Sequence, residues 1–116
     1  EEVARHHVLV ASADRVIPLH FEEIGSWWSG DAQIGVVGVN RAERRVLFGE
    51  AKWTREPMTE GVLEKLIDRG NRWLGGDTGW DVHYALFARE FGQVRESAGQ
   101  EPGFYFFKPE DVLGSR

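Results

Sequence analysis

The stretch VLFGEAKW, residues 46–53, is strand-like and changes character along its length. Side chains alternate between the two faces of a strand, so Val46, Phe48, Glu50 and Lys52 share one side. Two apolar residues are followed by two charged ones at the end of a rigid element, where a core can open into a polar site. A glutamate and a lysine at this spacing form either a solvated ion pair or half of a metal-dependent nuclease site.

The preceding stretch IGVVGV, residues 34–39, predicts a second strand that pairs with the first across a short polar loop. If Asn40 lies opposite Arg45, directly opposed residues share a face, and the apolar residues of both strands form one layer. The same register places Gly35 opposite Glu50. Because two neighbouring acids hold Mg²⁺ in a metal nuclease, Gly35 marks the position of a missing acid.

The rest of the chain predicts further elements around this hairpin. VHYALFA, residues 82–88, is typical of a strand buried on both faces and paired parallel to a neighbour after a helical crossover. The crossover helix starts after Thr59 as N-cap and ends at Gly75 and Gly76. The remaining predicted elements are helix 1–13, strand 20–28, a short helix within 91–98, strand 104–107 and a helical turn over 109–113. We therefore predict an α/β domain with an αβββαβ core, in which helices flank a mixed sheet with an antiparallel meander.

Composition and charge narrow the functional classes. The 116 residues are one domain's length, and the absence of cysteine excludes disulfides and thiolate metal sites. No apolar run reaches the roughly 20 residues of a membrane helix, and no secretory signal is present, which predicts a cytoplasmic protein without a membrane partner. The net charge of −5 argues against gripping nucleic acid by bulk positive charge, although a local basic patch stays possible.

The element order and GEAKW together resemble the PD-(D/E)XK, or restriction-endonuclease-like, domains. More narrowly, the chain is similar to the C-terminal domain of the archaeal-type ATPase family in the segments EEIGSWW, IGVVGVN, VLFGEAKW and YALFARE. In that family, a AAA-type ATPase and a winged-helix region precede the nuclease-like domain. The resemblance implies that residues 1–116 are one such domain, the C-terminal fragment of a longer ATPase chain.

The resemblance also assigns roles to individual residues. Glu50 matches the metal-binding acid and Lys52 the catalytic lysine, while Glu1, or its neighbour Glu2, matches an acid that some members carry on the first helix. Lys52 and Arg55 are the implied contacts to nucleic acid, with DNA as the partner. The family's strand aspartate falls on Gly35, so the metal site lacks one ligand. Mg²⁺ is the expected cofactor if the domain is active.

Three functional hypotheses stay open at this point. The first is a degenerate nuclease-like domain that docks nucleic acid or protein for its ATPase, with weak or no cleavage. The second is an active Mg²⁺-dependent deoxyribonuclease that uses Glu50, Lys52, a glutamate of the first helix and a further acid, for which Asp31, Glu22 and Glu23 are the candidates. The third is a structural domain that oligomerises through its tryptophans. The arginines of the hairpin loop fit either phosphate contacts or a solvated loop, and Trp27, Trp28 and Trp53 fit either base stacking or packing.

Overall fold

The computed structural model describes residues 21–30, 32–52, 57–92 and 103–108. The predicted helix 1–13 with Glu1 and Glu2, the positions Asp31, Trp53 and Arg55, most of the predicted helix 91–98 and the predicted turn 109–113 lie outside these ranges. Within them, the elements are β1 (Glu23–Ser29), β2 (Ala32–Asn40), β3 (Arg45–Lys52), α1 (Glu60–Leu74), β4 (Asp81–Ala88) and β5 (Phe104–Phe107).

The five strands form one mixed sheet in the order β1-β2-β3-β4-β5. β1, β2 and β3 are antiparallel, whereas β4 pairs parallel to β3 and β5 pairs parallel to β4. The predicted meander and the parallel crossover through α1 are therefore confirmed. The prediction of helices flanking the sheet was too broad for the part of the chain that the structure describes, in which α1 is the single helix.

Helix α1 follows the start and stop signals in its sequence. Thr59 is the N-cap in an extended conformation, although its side chain makes no hydrogen bond to the helix. Gly75 ends the helix in the left-handed region at φ 61°, with its N–H donating to the carbonyl of Asn71. Leu63 and Leu66, three residues apart, are buried on the side that faces the sheet. In the described ranges, no helix is long and apolar enough to cross a membrane.

Apolar side chains fill both faces of the sheet. The first layer lies on the α1 side and contains Ile34, Val37, Val39, Val46, Phe48, Leu63, Leu66 and Leu86. The second layer, on the opposite face, contains Phe21, Val36, Leu47, Ala85, Phe87 and Phe107. β4 contributes to both layers and is fully buried from Ala85 to Ala88, which explains its nearly continuous apolar sequence.

A β-bulge interrupts the alternation of β2. Gly25 pairs with Val37 and Trp27 pairs with Ile34, so the single residue between them on β1 faces two residues, Gly35 and Val36, on β2. The extra residue reverses the phase of the strand. Ile34 consequently lies in the first layer with Val37, although an uninterrupted strand would send the two to opposite faces.

Candidate functional site at the carboxyl end of strand β3

Glu50 and Lys52 lie where β3 leaves the core. Residues 46–49 are buried, Glu50 is half-buried and Lys52 is exposed. Val46 and Phe48 belong to the first layer, so alternation directs Glu50 and Lys52 to the same side, with about 7 Å between their Cα atoms. β3 thus delivers a carboxylate and an ammonium group to the rim of the first layer.

The predicted register between β2 and β3 is confirmed over the core of the hairpin. Asn40 pairs with Arg45, and the pairs of apolar residues are Val39 with Val46 and Val37 with Phe48. The ladder ends at Val36 opposite Gly49, one residue before the predicted pair of Gly35 and Glu50.

The bulge changes which residues of β2 face the first layer near the end of the hairpin. Val37 and Phe48 are paired in the first layer, and the next first-layer residues toward this end of the sheet are Ile34 and Glu50. Gly35 is within the bulge, next to Val36, whose side chain lies in the second layer. An apolar side chain therefore continues the first layer of β2 where an acidic ligand was sought.

On its other side, Glu50 pairs with Leu86 of β4, and Leu86 pairs with Phe106 of β5. Lys52 pairs with Ala88. Because Phe87 pairs with Phe107, continuing that register by one residue puts Lys108 on the far side of Ala88. Two lysines thus flank Ala88 at the carboxyl ends of three parallel strands.

Lys108 was not among the predicted site residues. The signal for it was present, since a basic residue directly follows the FYFF strand. Ligands of α/β sheets bind at the carboxyl ends of parallel strands, but no pairing was predicted for strand 104–107, so Lys108 was not expected at that edge. Arg89 follows β4 at the same edge and is exposed.

Glu23 does not supply the missing ligand for Glu50. It pairs with Val39, which pairs with Val46, so Glu23 belongs to a row of the sheet about 13 Å from Glu50 along β3. Its carboxylate lies 3.7 Å from the guanidinium of Arg41. Among the described residues, no three His, Cys, Asp or Glu side chains come together in a group that could hold a metal ion.

At the opposite end of the sheet, Arg44 of the hairpin loop contacts the turn before β4. Its guanidinium donates to a carboxylate oxygen of Asp77 at 2.5 Å and to the carbonyl of Gly79 at 3.1 Å, and it lies 5.1 Å from the Trp80 ring. A hydrogen bond from the backbone N–H of Gly79 lowers the pKa of the Asp77 carboxyl, and the hydrogen bond from Arg44 lowers it further by a smaller amount. Arg44 thus joins the hairpin to the turn by contacts within the chain.

Arg45 takes part in a second set of contacts. It donates to Asp81 at 3.2 Å and pairs with Glu43, while Nε2 of His83 lies 3.1 Å from the same Asp81 oxygen. His83 and then Arg45 lower the pKa of the Asp81 carboxyl. Arg44 and Arg45 are therefore engaged by acids of this chain, which favours the structural interpretation of these two loop arginines over phosphate binding.

Comparison with known proteins supports the assignment of the fold. Over 93% of its length, the chain superposes on 46% of a repair endonuclease from Pyrococcus abyssi, with a TM-score of 0.57 and 20% identity. It also superposes on EndoMS in a complex with double-stranded DNA, with a TM-score of 0.53 and 17% identity over 97% of this chain and 45% of that one. At these identities, the similarity shows the restriction-endonuclease-like fold.

Sequence comparison identifies the family. An uncharacterized protein of Methanocaldococcus jannaschii is 30% identical over 93 residues, which are 78% of this chain and 20% of that protein. The chain thus spans about a fifth of the length of this relative. The model of the DUF234 family, described as archaeal and bacterial proteins of unknown function, matches residues 1–66, more than half of the 116 residues. The chain therefore belongs to the DUF234 family.

Proposed function

We propose that this domain is a nuclease-like module that docks nucleic acid for a longer ATPase chain and cleaves it weakly or not at all. The observation that carries the proposal is the environment of Glu50. A half-buried carboxylate is followed by Lys52 on the same face. It pairs with the apolar Leu86 of β4, and the next first-layer residue of β2 beyond Val37 is the apolar Ile34.

The basic residues at this edge support docking of a phosphate backbone. Lys52 and Lys108 flank Ala88, and Arg89 follows β4 directly. Lysine and arginine bind phosphates mainly through charge, so a few of them give weak, salt-dependent binding without base specificity. One of the superposed proteins, EndoMS, is bound to double-stranded DNA, and this makes duplex DNA the first ligand to test.

The acid residues fit Mg²⁺ only in part. Mg²⁺ prefers octahedral oxygen coordination, and paired carboxylates at a nuclease site fix it against the scissile phosphate. The described residues offer Glu50 at this position, with no further acid on the neighbouring strands close enough to share an ion. A single carboxylate predicts low metal occupancy, and therefore slow hydrolysis. A contribution from Glu1 remains a prediction.

The ATPase parent is supported by two observations. The segments quoted above resemble the C-terminal domain of the archaeal-type ATPase family, and the M. jannaschii relative is about five times as long as the region that matches. A docking domain with modest affinity gains effective affinity when it is tethered to a second binding domain. In this proposal, the upstream ATPase and winged-helix domains are its partners.

An active Mg²⁺-dependent deoxyribonuclease is the second candidate. The spacing of Glu50 and Lys52 is intact, and the fold is shared with a repair endonuclease. A structural oligomerisation domain is the third, because β1 is an edge strand whose Trp28 side chain is 66% exposed.

A pair of measurements separates these functions. Fluorescence anisotropy with labelled duplex DNA in EDTA tests docking alone, and we expect Lys52→Ala to weaken binding, while Lys65→Ala on the exposed side of α1 leaves it unchanged. Plasmid cleavage with Mg²⁺ or Mn²⁺ tests chemistry. Efficient cleavage that disappears in Glu50→Gln would overturn the degenerate assignment in favour of the nuclease. Absence of DNA binding, together with a concentration-dependent mass in light scattering, would favour oligomerisation.

A further inference from the structure

A pocket opens on the first-layer side of β1, separate from the Glu50 site. Its volume is about 270 Å³, and it lies between the edge of the sheet and the last turn of α1. Gly25 and Trp27 of β1, Val37 of β2 and Trp73 of α1 are among the residues that line it. Two indole rings therefore border one small cavity that no part of the proposed docking surface uses.

Gly25 creates the pocket. Glu23, Gly25 and Trp27 follow one another on the same side of β1, so a side chain is missing from the middle of the row. A β-carbon built at Gly25 would have no other atom within 4 Å. A glycine inside a strand often marks a place where a ligand comes close to the backbone.

The aromatic walls are held in place by the core. Trp73 makes edge-to-face contacts with Phe48 at 5.6 Å and with Trp80 at 5.1 Å between ring centroids. Trp27 packs against the first layer. Rings that are fixed before binding lose little conformational entropy when a planar ligand stacks on them.

The polar end of the pocket carries one donor group and one acceptor group. Glu23 and Arg41 both line it and lie 3.7 Å apart, with side chains more than 60% exposed. Such an exposed pair is weak and can exchange partners at little cost. Arg41 can then donate to a ring nitrogen or carbonyl, and Glu23 can accept from an exocyclic amine. An aliphatic guest would use neither group.

Size and position complete the argument. The volume lies just below the roughly 300–1,000 Å³ of pockets for drug-sized ligands, which suits one heteroaromatic ring system. Trp27 pairs with Ile34 of β2, and β2 pairs with β3, so two strand spacings of about 5 Å separate Trp27 from β3. A strand docked at Lys52 could reach the pocket with an adjacent nucleotide.

We propose that this pocket binds a nucleobase by stacking against Trp27 and Trp73, with its polar edge on Glu23 and Arg41. The base can belong to a free mononucleotide or to an unpaired nucleotide of a strand. The second source rests on the proposed docking function, whereas the first does not.

The test follows the indole N–H signals of the 116-residue chain by NMR, assigned with single Trp→Phe variants. Adenosine monophosphate and a short single-stranded oligonucleotide are titrated separately. We expect both to shift the Trp27 and Trp73 signals and to leave Trp28, on the other face of β1, unmoved. Gly25→Leu adds a side chain whose β-carbon meets no atom within 4 Å and whose remaining atoms occupy the pocket. It should lower the affinity for both probes at least about fivefold. Gly61→Ala, at a glycine of α1 outside the pocket, is the matched control and should bind normally.

The outcomes separate this proposal from the docking function. If adenosine monophosphate shifts the Trp27 and Trp73 signals but anisotropy detects no duplex binding, the pocket is a mononucleotide site and the docking function is rejected. Duplex binding through Lys52, with unmoved Trp27 and Trp73 signals in both titrations, would overturn the pocket. So would a Gly25→Leu variant that binds like the wild type. A Gly25→Leu variant that turns a dimer into a monomer in light scattering, with no response to either probe, would instead assign the pocket to a second copy of the chain.

Discussion

Gly70 of α1 lies against the ring of Phe48 of β3, so closely that a β-carbon at position 70 would be 2.7 Å from the ring. Phe48 is fully buried and contacts Trp73 and Tyr84, which leaves its ring no free space to move into. The contact fixes the distance between the helix and the strand that carries Glu50.

Gly70→Ala should therefore destabilise the fold although alanine favours helices. Overpacking of this kind costs about 1–3 kcal/mol, and the gain in helix propensity returns at most about 1 kcal/mol. Urea unfolding followed by circular dichroism measures the difference. Gly61→Ala is the control, because its added carbon would meet only Thr59 Oγ1 at 3.6 Å. Equal stability of the two variants would show that the helix can move away from the sheet.

The carboxyl of Asp81 should make stability depend on acid. His83 and then Arg45 lower its pKa, so the folded state holds the charged form more strongly than the unfolded chain does. The stabilisation is complete above the unfolded pKa, near 4, and is lost as pH falls through the lowered folded value. Because the Asp81 side chain is 53% exposed, we expect less than about 1 kcal/mol.

Urea unfolding near neutral pH and at about pH 3 tests this linkage. Wild type should lose more stability on acidification than Asp81→Asn, which has no charge to lose. Asp68→Asn, at an exposed position of α1, serves as the control and should follow the wild type. Parallel losses in wild type and Asp81→Asn would mean that the contacts with His83 and Arg45 contribute nothing.

A carboxylate at Gly35 should recreate a metal site if this position corresponds to the family's aspartate. Gly35 is buried, so Gly35→Asp should lower the melting temperature in EDTA, since a buried charge without a partner is unfavourable. Mn²⁺ shared with Glu50 should restore part of the loss, because a ligand that binds only the folded state stabilises it.

Differential scanning calorimetry with and without Mn²⁺ measures the effect. Gly35→Asn introduces a side chain of nearly the same size as aspartate but without its charge, and Mn²⁺ should not restore the melting temperature of this variant. Gly35→Asp combined with Glu50→Gln should also lose the response. If Mn²⁺ stabilises none of these variants, the acid at position 35 does not reach Glu50 and the bulge directs it elsewhere.

Binding of duplex DNA should depend on salt through the lysines at the carboxyl edge. Each phosphate contact contributes about 0.9 to the slope of log K against log salt concentration. Removing Lys52 and Lys108 together should make the slope less steep by about 1–2, whereas Lys65→Ala leaves it unchanged. Anisotropy titrations at several salt concentrations give the slopes. An unchanged slope in the double variant would place the phosphate contacts on another surface.

Local signals in the sequence predicted much of this fold. The register of β2 and β3 followed from the need of Val37, Val39, Val46 and Phe48 to share one apolar layer. Thr59 and Gly75 bounded α1 because a cap and a left-handed residue act within one turn. These features depend on neighbours a few residues apart.

Contacts between distant residues could not be predicted in the same way. IGVVGV contains two glycines, and nothing in the segment says that the extra residue falls at Gly35 rather than at Gly38. The pocket needs Trp73 to meet Trp27, which is 46 positions earlier, across the sheet. Arg44 precedes the crossover helix in the sequence and pairs with Asp77, which follows that helix. The environment of Glu50 depends on such distant contacts, whereas its position at the rim of the core follows from the local alternation of β3.

The bulge in β2 has a consequence for the comparison of relatives. Before the bulge the even-numbered Ile34 faces the first layer, whereas after it the odd-numbered Val37 and Val39 do. An insertion or deletion of one residue there would exchange the first-layer and second-layer sides of half the strand. Alignments across the family should be anchored separately on the two halves. Without this precaution, an ungapped alignment can place a homologue's acidic residue on the Glu50 side of the sheet when its side chain lies on the opposite face. The same error can hide an acid that does lie on the Glu50 side.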